Sequence, residues 1–171
     1  MPSFFCKECG HPHEGLPLAF GVDFRADPYA LGSIQFERDG ELVRASDDRF
    51  IRANVELRVA GTEEQFVWTC WVSLSHESYE RIRAQWDSPG RESQEPAFGW
   101  LYPPPTYEPI IPLKTRIHTR PLGLRPWVEL EPTDHPLAIE QRDGIRYDRI
   151  ARIYHWFAAQ QAINGIKGPK P

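Results

Sequence analysis

The sequence contains no apolar run approaching the roughly eighteen residues that a membrane-spanning helix needs. Its start, Met1-Pro2-Ser3-Phe4-Phe5-Cys6, has neither a basic n-region nor a long apolar h-region. Both absences lead to the expectation of a cytoplasmic protein that does not enter a membrane. A positive field is missing too. With a net charge of −4 the chain does not attract phosphate backbones, so nucleic acid is not an expected partner. Cysteine is scarce: of three, Cys6 and Cys9 lie too close together for an ordinary structural bridge. That excludes a disulfide scaffold and leaves reduced or metal-bound thiols. No internal repeat and no second domain boundary is visible, and 171 residues suit one hydrophobic core.

What is present favours an ordered domain. Hydrophobic residues make up 40% and charged residues 26%, and nine Phe with six Trp supply apolar area that offsets chain entropy without staples. Many of the 17 prolines fall between Pro103 and Pro136. They force extended segments there and exclude a long helix.

Periodicity organises the rest. Ile51, Ala53, Val55, Leu57 and Val59 alternate with Arg52, Asn54, Glu56 and Arg58. After the polar turn at Gly61-Thr62-Glu63-Glu64 the period of two resumes at Phe66, Trp68, Cys70, Val72 and Leu74. Residues 50–75 therefore read as a long β-hairpin. Asp27-Pro28 resembles a short helix start, with the polar run to Gly40 limiting it. Ser75 can cap a helix carrying Tyr79, Ile82 and Trp86 until Pro89-Gly90 stops it. Ala97–Tyr102, Leu113–His118 and Trp127–Leu130 are strand candidates. Thr133 or Asp134 suits a cap before Pro136. Ile150, Ile153, Tyr154 and Phe157 mark a C-terminal helix, with His155 beside their stripe as a surface residue.

The expected fold is α+β: about five mainly antiparallel strands in one sheet, with the C-terminal helix and a second short helix packed on it. One domain spans 1–164, beginning with a knuckle segment at 1–15, and 165–171 form a flexible tail.

The strongest chemical signal is Cys6-Lys7-Glu8-Cys9-Gly10-His11-Pro12-His13. Two thiolates separated by two residues can face one ion, and Gly10 permits the positive φ of such a turn. Sulfur with imidazole selects zinc. The expected ligands are Cys6, Cys9 and one of His11 or His13, with His13 preferred. The fourth is sought at a distance among Cys70, His76, His118, His135 and the carboxylates. A sulfur-rich site near a terminus is expected to be structural. A thioredoxin-like redox role is disfavoured, since no strand is expected before Cys6 and no βαβ unit surrounds it.

A second constellation offers a possible pocket for an anionic ligand, with Arg116 and Arg125 pairing to it and His118 or His135 moving protons. The plainer reading is a solvated sheet face with charges paired across strands. Ser73 and Ser75 lie near His76, but no nucleophile elbow surrounds them. Trp71 faces away from Trp68, so either both sheet faces are covered or one carries an exposed apolar patch that could meet a partner protein.

Several of these segments resemble the DUF2199 family, a bacterial domain of unknown function. The resemblance runs from Phe5-Cys6 to Cys9-Gly10 with His13 and Gly15-Leu16-Pro17-Leu18, through Phe66-Val67-Trp68 to Trp71-Val72-Ser73-Leu74-Ser75, to Phe98-Gly99-Trp100-Leu101. Arg125-Pro126, Glu129 through Ala138, and Gln141 through Ile145 continue it. The resemblance implies bacterial origin and a single domain, and it supplies no catalytic residue. Its sequences carry a further Cys after the Ser46-Asp47-Asp48 stretch that this chain lacks, so a ligand there would need replacement by Cys70 or a histidine. The combined expectation is a small zinc-binding interaction module with a structural metal. The alternative is a zinc-dependent hydrolase whose cleft holds Arg116, His118, Arg125 and His135.

Overall fold

The computed structural model describes residues 3–7, 9–24 and 33–164. The expected helix start at Asp27-Pro28 and the tail at 165–171 lie outside the described residues. Two short strands come first, β1 (Ser3–Phe5) and β2 (Pro12–Glu14), and they pair only with each other. The long hairpin is β6 (Asp48–Arg58) with β7 (Gln65–Leu74), antiparallel from Arg49↔Leu74 to Arg58↔Gln65. Its inward residues Ala53, Val55, Leu57, Phe66, Trp68 and Val72 are all buried, as strict alternation requires when one face meets a core.

The sheet does not stay open. Strands β8 (Ala97–Leu101), β9 (Leu113–His118) and β10 (Trp127–Leu130) follow β7 antiparallel, and β10 then returns to β6 in parallel at Trp127↔Asn54. The Asn54 amide donates to the Pro126 carbonyl at 2.8 Å on that seam. Five strands thus close a barrel, in which each of the five is paired on both sides. Gly99 makes the β7–β8 crossing possible: a Cβ there would stand 2.5 Å from Val72 Cγ1 and 2.7 Å from the Ser73 carbonyl oxygen.

Three strands extend the barrel sheet. β3 (Ala19–Gly21) runs parallel to β7, and the hairpin β4 (Ile34–Glu37) with β5 (Leu42–Ala45) adds to β6. The sequence suggests only a polar run up to Gly40 in the β4–β5 region. Arg38, Asp39 and Gly40, all with positive φ, form the β4–β5 turn. Val43, Ala45, Phe24, Phe50 and Trp71 make a second small core there. These short strands are decided by that distant burial, which local periodicity does not carry.

Helix α1 (His76–Ala84) starts at the expected cap: the Ser75 side chain accepts from the Ser78 amide. Helix α2 (Pro136–Asp143) corrects the expected cap. Thr133 and Asp134 do not cap it; His135 does, accepting the Leu137 amide at Nδ1, with Pro136 in the first turn. Thr133 Oγ1 instead accepts from the His135 amide. Helix α3 (Tyr147–Asn164) buries Ile150, Ala151 and Ile153, and Phe157 stacks on Phe20 at 5.1 Å. No helix among the described residues is long and apolar enough to cross a membrane.

Candidate metal centre

The β1–β2 hairpin carries the CxxC segment in its loop. Cys6 follows β1 directly, its amide donating to the His11 carbonyl at 3.0 Å, and the Gly10 amide closes the turn onto the Cys6 carbonyl at 2.9 Å. Gly10 sits at φ +69°, the left-handed conformation that glycine adopts without steric cost. A strand therefore does precede Cys6, contrary to expectation, but it belongs to an isolated hairpin with no βαβ unit around it. Residue 13 lies on β2, and its ring turns toward the C-terminal helix, 6.1 Å from Tyr154 and 5.5 Å from His155 between centroids.

The donor atoms of Cys6, Cys9, His13 and His155 all lie within 4.8 Å of one another. Cys6 Sγ is 3.2 Å from His155 Nε2, and Cys9 Sγ is 3.1 Å from His13 Nε2. A tetrahedral ion with metal–sulfur bonds of about 2.3 Å and metal–nitrogen bonds of about 2.0 Å would set sulfur and nitrogen ~3.5 Å apart. The spacing of the donors fits such an ion. Two thiols and two imidazoles are also the donor set of a closed site, with no position left over for a water.

The fourth donor is not among those the sequence offered. Cys70 points into the barrel, where burial pushes its thiol up to about 12, so it resists becoming the thiolate a metal needs. His76 opens α1 and His11 is exposed in the hairpin loop; neither joins the cluster. The fourth member of the cluster is His155, expected from the sequence as a surface residue. Its helix spacing does carry a signal. His155 follows Ala151 by four residues, hence on the same face, and Ala151 is fully covered.

The other nominated residues are spread over the molecule. His118 on β9 engages Glu129 at 2.7 Å and lies against Trp127, with ring centroids 4.9 Å apart. Arg116, two residues earlier on the same face, is exposed beside a cleft of about 320 Å³ that also includes Phe98 and Lys114. Arg125 sits in the β9–β10 loop and grips Glu41 with two bonds of 2.6 Å. It lines a different, larger cavity of about 590 Å³ with Arg38, Arg120 and Glu56. One wall of that cavity is pinned by Arg91, whose buried guanidinium donates to the carbonyls of Trp86, Arg120, Pro121 and Leu124. His135 is buried; accepting at Nδ1 to cap α2, it donates from Nε2 to the Pro109 carbonyl at 3.0 Å. Both of its nitrogens are thereby occupied. Of the four, only Arg116 and His118 share a strand face.

Residues 5–145 match the family described as an uncharacterized protein conserved in bacteria, DUF2199. The chain belongs to that family. No curated protein and no solved structure matches it. The family match takes in Cys6, Cys9 and His13 but ends before α3, so His155 lies beyond the shared segment.

Proposed function

We propose that this DUF2199 member is a zinc-binding interaction module in which the metal is structural. The single observation that carries the reading is the meeting of Cys6, Cys9, His13 and His155 within 4.8 Å. The donors come from opposite ends of the described chain, so one ion would tie the N-terminal hairpin to α3. The binding free energy then acts as folding free energy of that corner. Zinc is the ion that two thiolates and two imidazoles select over harder cations. The hydrolase alternative draws less support: a full shell of four protein donors leaves no open position, and His135 uses both ring nitrogens within the fold.

Elemental analysis of purified protein tests the reading directly. The expected result is one zinc per chain, lost in Cys9→Ser and in His155→Ala, with a lower melting temperature in each. Metal-replete protein that melts at the same temperature after verified chelation would sink the structural role. Zinc retained at full stoichiometry in His155→Ala would remove that residue from the shell.

A further inference from the structure

Trp71 and Trp100 both point outward from adjacent strands, yet their surroundings differ. Trp71 is covered, packed edge-on by Phe24 at 5.0 Å and donating from Nε1 to the Val22 carbonyl. Trp100 is 39% exposed and Phe98, two residues before it on β8, is 52% exposed. The two rings meet edge to face at 5.4 Å. Directly across on β9 stand Lys114 opposite Trp100 and Arg116 opposite Phe98. Among the described residues neither cation has an ion-pair or side-chain hydrogen-bond partner, whereas Arg38, Arg44, Arg83, Arg120 and Arg125 each hold a carboxylate.

We infer that this face docks an acidic segment of a partner protein that also carries apolar side chains. The inference rests on the interaction-module reading and names the chemistry of its partner. The exposed rings supply apolar area with little side-chain entropy to lose, the property that makes aromatic residues anchors at interfaces. Two unpaired cations beside them favour carboxylates by charge complementarity. The cleft of about 320 Å³ next to Phe98 gives one apolar side chain a seat, with Thr115 and Pro132 in its wall. Strand β9 is paired on both sides, so recognition here runs through side chains, not through addition of a strand.

The far rim of the cleft decides between a peptide and a nucleic acid. Glu129, directly across from Arg116 on β10, and Glu131 stand there, with Glu129 engaged by His118. A nucleic acid strand, charged at each phosphate, would be driven onto Glu131. A peptide can set its carboxylates against Lys114 and Arg116 and pass Glu131 with neutral residues.

The test is a phage-displayed library of short random peptides panned on the zinc-loaded protein. Selected peptides and a labelled oligothymidylate are then measured by fluorescence polarisation. The expected winners carry Asp or Glu within a few residues of Trp, Phe or Leu. Their affinity should fall at least tenfold in Trp100→Ala and again in Lys114→Glu/Arg116→Glu, with zinc content and melting temperature unchanged. Absence of enrichment overturns the inference, as do winners without acidic residues, winners bound equally by both variants, or oligothymidylate that binds and competes them off. Any of those results with zinc still bound and stabilising leaves the metal reading intact, while loss of zinc alone leaves the docking face intact.

Discussion

In the barrel, Trp68 touches the rings of Phe66, Phe20, Tyr107 and Phe157 at centroid distances of 5.4 to 6.0 Å. At the N-terminal corner, Cys6 and His155, 149 residues apart, meet through Sγ and Nε2 at 3.2 Å with the His13 ring beside them. Both regions bring distant segments together. The first does so by removing apolar surface from water, which is non-directional and spread over many contacts. On the proposed reading the second would be completed by a few directional bonds to one ion. The lesson is that the barrel should survive loss of the corner, whereas the corner should not survive loss of its metal.

The largest expected effect tests the first half. Trp68→Ala should cost about 3–5 kcal/mol, because it leaves a cavity and removes the Nε1–H that the Tyr107 hydroxyl accepts. Urea unfolding would report it; a loss under ~1 kcal/mol would mean the barrel is not held as described. Removal of the metal comes next. With free ion about a thousandfold above its dissociation constant, bound metal contributes about 4 kcal/mol to the state that binds it. Chelation should lower the melting temperature while far-ultraviolet circular dichroism below that temperature keeps its strand signal. Collapse of the strand signal at room temperature would erase the distinction between the two regions.

A smaller effect sharpens the comparison on the barrel side. Ser75→Ala removes the acceptor for the Ser78 amide and should cost about 1 kcal/mol without altering zinc content. Calorimetry with metal analysis would check both. The smallest effect concerns pH. Burial raises the Glu140 carboxyl above its ordinary value, against hydrogen bonding from Tyr107 and the nearby Arg149 charge. As pH rises from the ordinary glutamate range to that raised value, the unfolded chain gives up this proton first. The folded state then binds more protons, and its stability falls through that window. Glu140→Gln should flatten this part of the curve of urea midpoint against pH. An identical slope in the variant would show that Glu140 does not set it.

The hairpin at 50–75, the strands around Phe98, Ile117 and Val128, and the last helix were legible because alternation and the 3.6-residue period are local signals of one buried face. The strands β4 and β5 were not, since Val43 and Phe50 are buried by Phe24 and Trp71 from elsewhere in the chain. The cap of α2 lies one or two residues beyond the expected Asp134 or Thr133, because the Nδ1 of His135 can replace either side chain as acceptor. At the site, CxxC offered two donors by spacing and a neighbouring histidine, His11 or His13, as a third; the fold brings His13 to them. The fourth was hidden, because His155 lies on a helix whose most regular stripe is apolar and whose neighbouring face is covered only once the hairpin arrives.

By itself the sequence determined the period of each long element, the absence of a disulfide framework and the donor types near the N-terminus, all of which depend on near neighbours along the chain. Only the tertiary structure decided that five strands close on themselves, that Trp71 is covered while Trp100 is not, and that His155 faces Cys6. Those outcomes depend on which surfaces meet between residues 47, 73 and 149 positions apart, and such encounters are set by the packing of the whole barrel, not by any local pattern.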